Sequence, residues 1–244
     1  MAKIKNEIVV ARSLLIFPNT LLLILIFLSI VSCENPVNTL DNSVLYPISV
    51  GNYWKYTIYT YSSGEVLPGL TDSLEMTIDE GIIVNIDGRT YNGGVQTRRF
   101  GENTYAEARW IYANMNDGLY YLGGIAEKDT IFKKFLYLKY PVKQGETWKV
   151  PYMYYDLANE RFEFKQDSTL EYTCISTNER IDTEIGEFRC VVYHFKEFPE
   201  VDVPTYWHYY LYYSPGVGYI GTEIRSDLDN SIKQKIILTN YKVK

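Results

Sequence analysis

Beyond about residue 46 the chain is filled with short runs in which apolar and polar residues alternate. In Leu74-Glu75-Met76-Thr77-Ile78 and in Leu170-Glu171-Tyr172-Thr173-Cys174 every second residue is apolar, and a period of two sends successive side chains to opposite faces of a strand. Leu74, Met76 and Ile78, like Leu170, Tyr172 and Cys174, therefore face a core, with Glu75, Thr77, Glu171 and Thr173 on the other face. The runs TYAEARWIYANM, VVYHF and TYWHYYLYY are rich in Tyr, Val and Thr, and Ser63-Gly64, Asp87-Gly88 and Asp117-Gly118 punctuate the chain. Asp-Gly suits a two-residue type I′ hairpin, whose central residues both need positive φ. Helical periodicity is nearly absent. The pattern predicts an all-β, antiparallel single domain of about ten to fourteen strands, forming a curved sheet, sandwich or barrel.

The first residues break this pattern. Lys3, Lys5 and Arg12 precede a ten-residue apolar stretch, Leu21 to Ile30, and the chain then reads Ile30-Val31-Ser32-Cys33. This is the layout of a bacterial lipoprotein signal, cut before Cys33 so that the thiol takes a diacylglycerol. A membrane-spanning helix needs roughly 20 apolar residues, and Pro18, Asn19 and Thr20 interrupt the longer run that starts at Leu14. Residues 1–32 thus read as a signal peptide, 33–45 as a polar tether from lipidated Cys33, and 46–244 as the β-rich domain. The expected location is the cell envelope, with acyl chains, palmitate among them, holding the protein on the outer membrane at its periplasmic or surface face.

An internal repeat organises the domain. YPISVGNYWKY at 46–56 returns as YPVKQGETWKV at 140–150, sharing Tyr46/Tyr140, Pro47/Pro141, Gly51/Gly145, Trp54/Trp148 and Lys55/Lys149. The likeness extends from Asp72-Ser73-Leu74-Glu75-Met76-Thr77 to Asp167-Ser168-Thr169-Leu170-Glu171-Tyr172-Thr173. Gly88 then aligns with Gly186, and Trp110 with Trp207. Halves of 46–139 and 140–244 share one plan. Because proline starts a strand, glycine permits a turn and tryptophan anchors a core, the repeat reads as architecture rather than as a duplicated site.

Charge narrows the partners. Removing Lys3, Lys5, Arg12 and Glu7 from 24 basic and 30 acidic residues leaves 21 against 29, a net charge of −8. No clustered Lys and Arg exist to neutralise phosphates, the only short runs being Arg98-Arg99 and Lys133-Lys134, so no nucleic-acid partner is expected. Gly216-Val217-Gly218-Tyr219-Ile220-Gly221 is a literal GxGxxG, but an alternating strand follows where dinucleotide binding needs a helix. Asp227 to Ser231 lacks the glycine and distal glutamate of a calcium loop, and His194 and His208 have no further ligand at metal spacing. No metal, cofactor or catalytic residue is assigned. Glu197, Glu200 and Asp202 are the carboxylates that a hydrolase reading would use.

GNYWKY, GETWKV, the stretch Glu184-Ile185-Gly186-Glu187-Phe188-Arg189-Cys190 and the stretch Tyr212 to Ile220 (YYSPGVGYI) together resemble a group of uncharacterised bacterial lipoproteins. These pair GxxW motifs with a GxF strand and a late YxPGxG turn, and the likeness covers most of residues 46 to 226. It implies a β-rich envelope domain of unknown function and carries over no catalytic residue.

Tyrosine is the feature with functional promise, since all 24 lie beyond residue 32. Alternation sends Trp207, Tyr209, Leu211 and Tyr213 to one face and Tyr206, His208, Tyr210 and Tyr212 to the other. Tyr206, Trp207, His208, Tyr210 and Tyr212 are the candidate binding residues, able to stack on a glycan or seat a partner protein. The first functional reading is a non-enzymatic, lipid-anchored binding or scaffold module. The second is a carrier holding an acyl chain or other apolar ligand in a β-cavity, and the third a hydrolase. Finally, a hairpin reversal at Thr183-Glu184-Ile185-Gly186 would pair Cys190 with residue 179 and Cys174 with about residue 195, too far displaced for a disulfide.

Overall fold

A computed structural model of the chain describes residues 43–101, 104–156, 159–197 and 206–244, excluding the side chains of 104–107, 166 and 167. The signal peptide, Cys33 and the tether as far as residue 42 lie outside the described residues, as do Glu200 and Asp202. Twelve strands follow one another: β1 (Tyr53–Ser62), β2 (Glu65–Ile86), β3 (Arg89–Phe100), β4 (Thr104–Met115), β5 (Gly118–Ala126), β6 (Thr130–Lys139), β7 (Thr147–Asp156), β8 (Arg161–Thr183), β9 (Gly186–Glu197), β10 (Trp207–Ser214), β11 (Gly218–Ser226) and β12 (Ile232–Lys242). The described residues contain no helix. Leu40–Lys244 forms one compact unit, and every strand pairing lies within it, so this body contains its own core and ladders.

All twelve strands join one antiparallel sheet in the order β6-β5-β4-β3-β2-β1-β12-β11-β10-β9-β8-β7. Each half is a meander. The last strand pairs with the first, with Tyr53 opposite Lys242 and Thr60 opposite Gln234. The two edges of the sheet are therefore β6 and β7, neighbours in the chain. The sheet curls until they meet at one end, where the Trp148 indole N–H donates to the Tyr137 carbonyl at 3.1 Å and Lys139 pairs with Glu146. The result is a barrel closed except along the β6/β7 seam.

The repeat is architectural, and its geometry recurs bond for bond. Gly51 and Gly145 both hold positive φ, 86° and 82°, a conformation that costs a glycine little. The Gly51 N–H donates to the Ile78 carbonyl at 2.8 Å and the Gly145 N–H to that of Cys174 at 2.7 Å. Ile78 returns a bond to Asn52 and Cys174 one to Glu146, at 3.0 and 2.9 Å. Trp54 lies opposite Met76, as Trp148 lies opposite Tyr172. The two copies differ at Thr57 and its counterpart Pro151. Thr57 sits between two ladders, opposite Ser73 and Ile237, whereas Pro151 has a partner on β8 alone. Proline cannot donate to a ladder and is confined to edges, so this one exchange suits β7 to an open seam.

The turns follow their sequences. Asp87 and Gly88 take φ of 51° and 73°, the type I′ turn that Asp-Gly favours. The Gly216-Val217-Gly218 bend joins β10 to β11 as a hairpin. Cys190 lies opposite Glu179 as expected, but Cys174 lies opposite Tyr193 rather than residue 195, because the β8/β9 register shifts twice between Cys174 and Glu179. Both thiols are free and buried, and burial pushes Cys190 up to about 12.

Aromatic rings fill the interior. Trp54 is fully buried and its indole N–H donates to the carbonyl of Val217, in the turn between β10 and β11, at 2.8 Å. Tyr46 stacks on Trp54 at 4.9 Å and meets Tyr112 and Tyr213 edge-on. The segment around it closes the end of the barrel at which β1 begins: the Tyr46 carbonyl accepts from Asn114 at 2.7 Å and that of Val44 from Gly216 at 2.8 Å. A smaller cluster, Val84, Val95, Ile111, Ala113 and Leu122, packs on the opposite face of β2 to β5.

The two tryptophans should separate in a denaturation experiment. Trp54→Ala removes a fully buried ring and is expected to cost about 3–5 kcal/mol. Trp148→Ala removes a half-buried ring at the seam and should cost less. Chemical denaturation of the Leu40–Lys244 body measures both, and equal midpoints would contradict the difference between the two copies.

Candidate functional site

The seam is pinched at the Tyr137 and Trp148 end and unpaired beyond it, because no ladder joins β6 to β7. Behind this opening lies a cavity of about 330 Å³, walled by Trp110, Tyr121, Phe135, Val150, Met153 and Tyr172. A second cavity of about 190 Å³ continues inward among Leu74, Met76, Leu211, Tyr213 and Tyr219. Arg98, Tyr112 and Tyr137 line both. The β7–β8 hairpin bounds the larger void through Tyr154 and Tyr155; beside them Phe162 meets Trp110 edge-on at 5.0 Å, over Gly124, where any side chain would strike its ring.

Arg98 is the cation on the wall of this interior. Its Nε–H donates to Gln96 Oε1 at 2.8 Å and an Nη2–H to the Tyr112 hydroxyl at 3.0 Å. Its guanidinium lies 5.2 Å from the centre of the Trp110 ring, an arrangement in which the negative face of the ring attracts the cation. Gln96 in turn donates to the Tyr46 hydroxyl. Burial, with Arg98 pulling the other way, leaves the Tyr112 hydroxyl at about 12. Glu197 stands on the wall of the larger cavity and accepts a hydrogen bond from Tyr152, while burial pushes its carboxyl up.

None of these cavity residues except Glu197 stood among the sequence candidates. What brings Arg98 inward is the β2/β3 register, which sets it opposite Met76, an inward residue, and no sequence pattern shows that register. Of the carboxylates of the hydrolase reading, Glu197 is placed on the cavity wall and Glu200 and Asp202 are outside the described residues.

The aromatic row of β10 divides as alternation requires. Leu211 and Tyr213 are buried in the core, and Tyr209 stacks on Phe195 at 4.7 Å and 5°. Trp207 has the parity of this inner set, apart from the other four candidates. On the outer side His208 bonds His194 and Asp227: His194 Nε2 lies 2.8 Å from His208 Nδ1, and His208 Nε2 lies 2.7 Å from Asp227 Oδ1. A carboxylate only accepts, so His208 Nε2–H donates to Asp227, and a neutral His208 then accepts at Nδ1 from His194 Nε2–H. Tyr210 packs on His194 at 5.0 Å, with Arg225 on its ring at 5.9 Å. Tyr206 is exposed and Tyr212 half-buried. Among the described residues no Ser, Thr or Cys side chain is bonded to His194 in the manner of a nucleophile and its base.

No protein-family model matches the chain, and no curated protein sequence does. Among solved structures it is similar to a candidate lipoprotein from Parabacteroides distasonis ATCC 8503, with a TM-score of 0.50 and 15% identity over 82% of this chain and 99% of that one. It is also similar to a candidate exported protein with a YmcC-like fold from Bacteroides fragilis NCTC 9343, with a TM-score of 0.48 and 12% identity over the same shares. At such identities the likeness is one of fold.

The histidine pair carries a pH signature. Burial first, then the neighbouring His208, push the His194 imidazole down to about 4. An unfolded chain binds that proton near pH 6.5, so stability is full above this value and falls as the pH drops toward 4. His194→Gln should remove this part of the slope between pH 6.5 and 4, while Glu197, raised by burial, keeps its own contribution of opposite sign. Denaturation midpoints against pH check this, and an unchanged slope would contradict it.

Proposed function

We propose that the protein is a lipid-anchored envelope binding module that holds an apolar ligand inside its barrel, admitted through the β6/β7 seam. The observation that carries this reading is the aromatic cavity behind the unpaired edges. Barrels of about eight strands are just wide enough for side chains to fill, and larger ones enclose space. Here Tyr46 and its segment fill one end, and the space that remains opens at the seam. Its volume stands at the lower end of the roughly 300–1,000 Å³ range of ligand sites, and its wall is apolar with few polar groups, as such sites are.

This geometry favours a carrier over a scaffold with an aromatic surface. On the outer side of β10, His208 and Tyr210 are engaged with His194, Asp227 and Arg225, whereas the cavity wall presents ring faces and edges to a void. Anchoring follows from the sequence around Cys33, and a fold shared with a candidate lipoprotein is in keeping with it. The proposed partners are the membrane, through the acyl chains of Cys33, and the ligand within the barrel. A glycan or protein partner would use Tyr206, His208, Tyr210 and Tyr212.

Two measurements test the parts separately. Metabolic labelling with a radioactive fatty acid should mark the wild-type protein and not Cys33→Ala, and equal labelling would disprove the anchor. The uncharged fluorophore N-phenyl-1-naphthylamine should brighten when mixed with the Leu40–Lys244 body. Met153→Trp, which places a larger ring on the cavity wall, should weaken that binding by about tenfold or more, on the order of 1.4 kcal/mol, with little change in denaturation midpoint. Absence of binding, or binding indifferent to Met153→Trp, would sink the carrier reading.

A further inference from the structure

Arg98 stands on the wall shared by the two cavities, and among the described residues no acid answers its charge. Arg98 is half-buried; a guanidinium keeps its proton at any physiological pH, and withdrawing it from water is costly unless an opposite charge compensates. Among the described residues no Asp or Glu forms an ion pair with it. Glu197, the carboxylate on the same cavity wall, is taken by Tyr152. Neutral groups surround the cation: the Gln96 carbonyl, the Tyr112 hydroxyl and the face of Trp110. These engage two of the five N–H donors that a guanidinium presents.

A second polar group in the same cavity is also unsatisfied. The Tyr121 hydroxyl is buried and has no hydrogen-bond partner among the described residues, although the ring itself is well packed, 5.3 Å from Trp110 and 5.7 Å from Tyr112. Buried hydroxyls normally find partners, because leaving one unbonded forfeits its hydration for nothing. An unanswered cation and an unbonded hydroxyl in one aromatic void together describe a binding site for an oxyanion attached to an apolar body.

We propose that Arg98 and Tyr121 bind the carboxylate of a single-chain fatty acid, whose hydrocarbon lies along Trp110, Phe135 and Met153 toward the seam. The planar guanidinium fork matches a carboxylate, and ionised hydrogen bonds of this kind are the strong ones. The tyrosine hydroxyl adds a further donor. The chain gains from leaving water for an apolar wall, and the modest volume suits one chain rather than two. This rests on the carrier reading above and names its ligand class.

Dodecanoate and dodecanol, which share a chain and differ in the charged head, provide the test. Each is titrated at pH 8 against the Leu40–Lys244 body, by displacement of N-phenyl-1-naphthylamine. Wild type should bind the acid about tenfold or more tighter than the alcohol, as expected for a charge-assisted pair in a dry site. Arg98→Met should bring the acid down to the affinity of the alcohol while the neutral fluorophore still binds, and Tyr121→Phe should weaken the acid severalfold and the alcohol little. Equal wild-type affinities for acid and alcohol, or a preference that survives Arg98→Met, overturn the proposal while fluorophore binding leaves the carrier reading standing. If neither compound nor the fluorophore binds, both fall. Should Arg98→Met fail to fold, the wild-type comparison and Tyr121→Phe decide the matter.

Discussion

The ladder between β12 and β1 is the constraint on which the rest depends. By pairing the last strand with the first, it makes a ring from two meanders and, among the described strands, leaves the link between β6 and β7 as the place where neighbours meet without a ladder. Chain continuity there replaces hydrogen bonding, so the seam can part without unravelling the sheet. Its edges are the sort that otherwise invite pairing with another chain. On β6, Lys133 and Lys134 lie over the rings of Phe164, Tyr91 and Tyr120, at 4.0 to 4.8 Å, which places charge along that edge. On β7, Pro151 removes a donor.

A ring of this width determines what fills it. Twelve strands enclose more than aliphatic side chains span, and the chain answers with tyrosine and tryptophan, whose large rings pack edge-on and stacked. Their hydroxyls must then find acceptors inside the barrel. Tyr56 reaches the Tyr219 carbonyl at 2.9 Å, Tyr193 the Lys139 carbonyl at 2.8 Å, and Tyr219 the Thr222 hydroxyl at 2.5 Å. Against these, the buried Tyr121 hydroxyl stands without a hydrogen-bond partner among the described residues. The same scarcity of acid inside the barrel singles out Arg98.

Much of the fold was legible in the sequence. Alternation in 74–78 and 170–174 placed the inner residues, Asp87-Gly88 placed a turn, and the paired YPxxxGxxWK stretches revealed two halves whose hydrogen bonds recur. The site was not legible, for a physical reason visible in β2 and β3. From the turn, Ile86 faces Arg89 and Glu80 faces Val95, and this register continued inward would set Arg99 opposite Met76. A bulge between Ile78 and Glu80 slips the pairing by one residue, so Arg98 takes that place. One slipped residue exchanges the faces of a strand, and Arg98-Arg99 gives no hint of which member enters. The two shifts between Cys174 and Glu179 sum to an even displacement, so Cys174 kept its predicted face although its partner moved from residue 195 to Tyr193.

Duplication then explains why the barrel is asymmetric. Tyr46 and Tyr140 begin identical motifs, yet Tyr46 is buried against Trp54 inside the ring while Tyr140 is half-buried beside the seam. The first copy begins ahead of β1 in a segment that belongs to no strand, and that segment turns into the end of the barrel with Leu45 and Tyr46 buried. The second copy is held between Lys139 and Thr147 by the strands on either side and can only bridge them. Trp54 therefore spends its indole N–H on Val217 in the β10–β11 turn, and Trp148 spends its own on the edge carbonyl of Tyr137. One motif thus seals an end and its copy pins a seam, which leaves the void beyond Trp148 as the way into the aromatic interior.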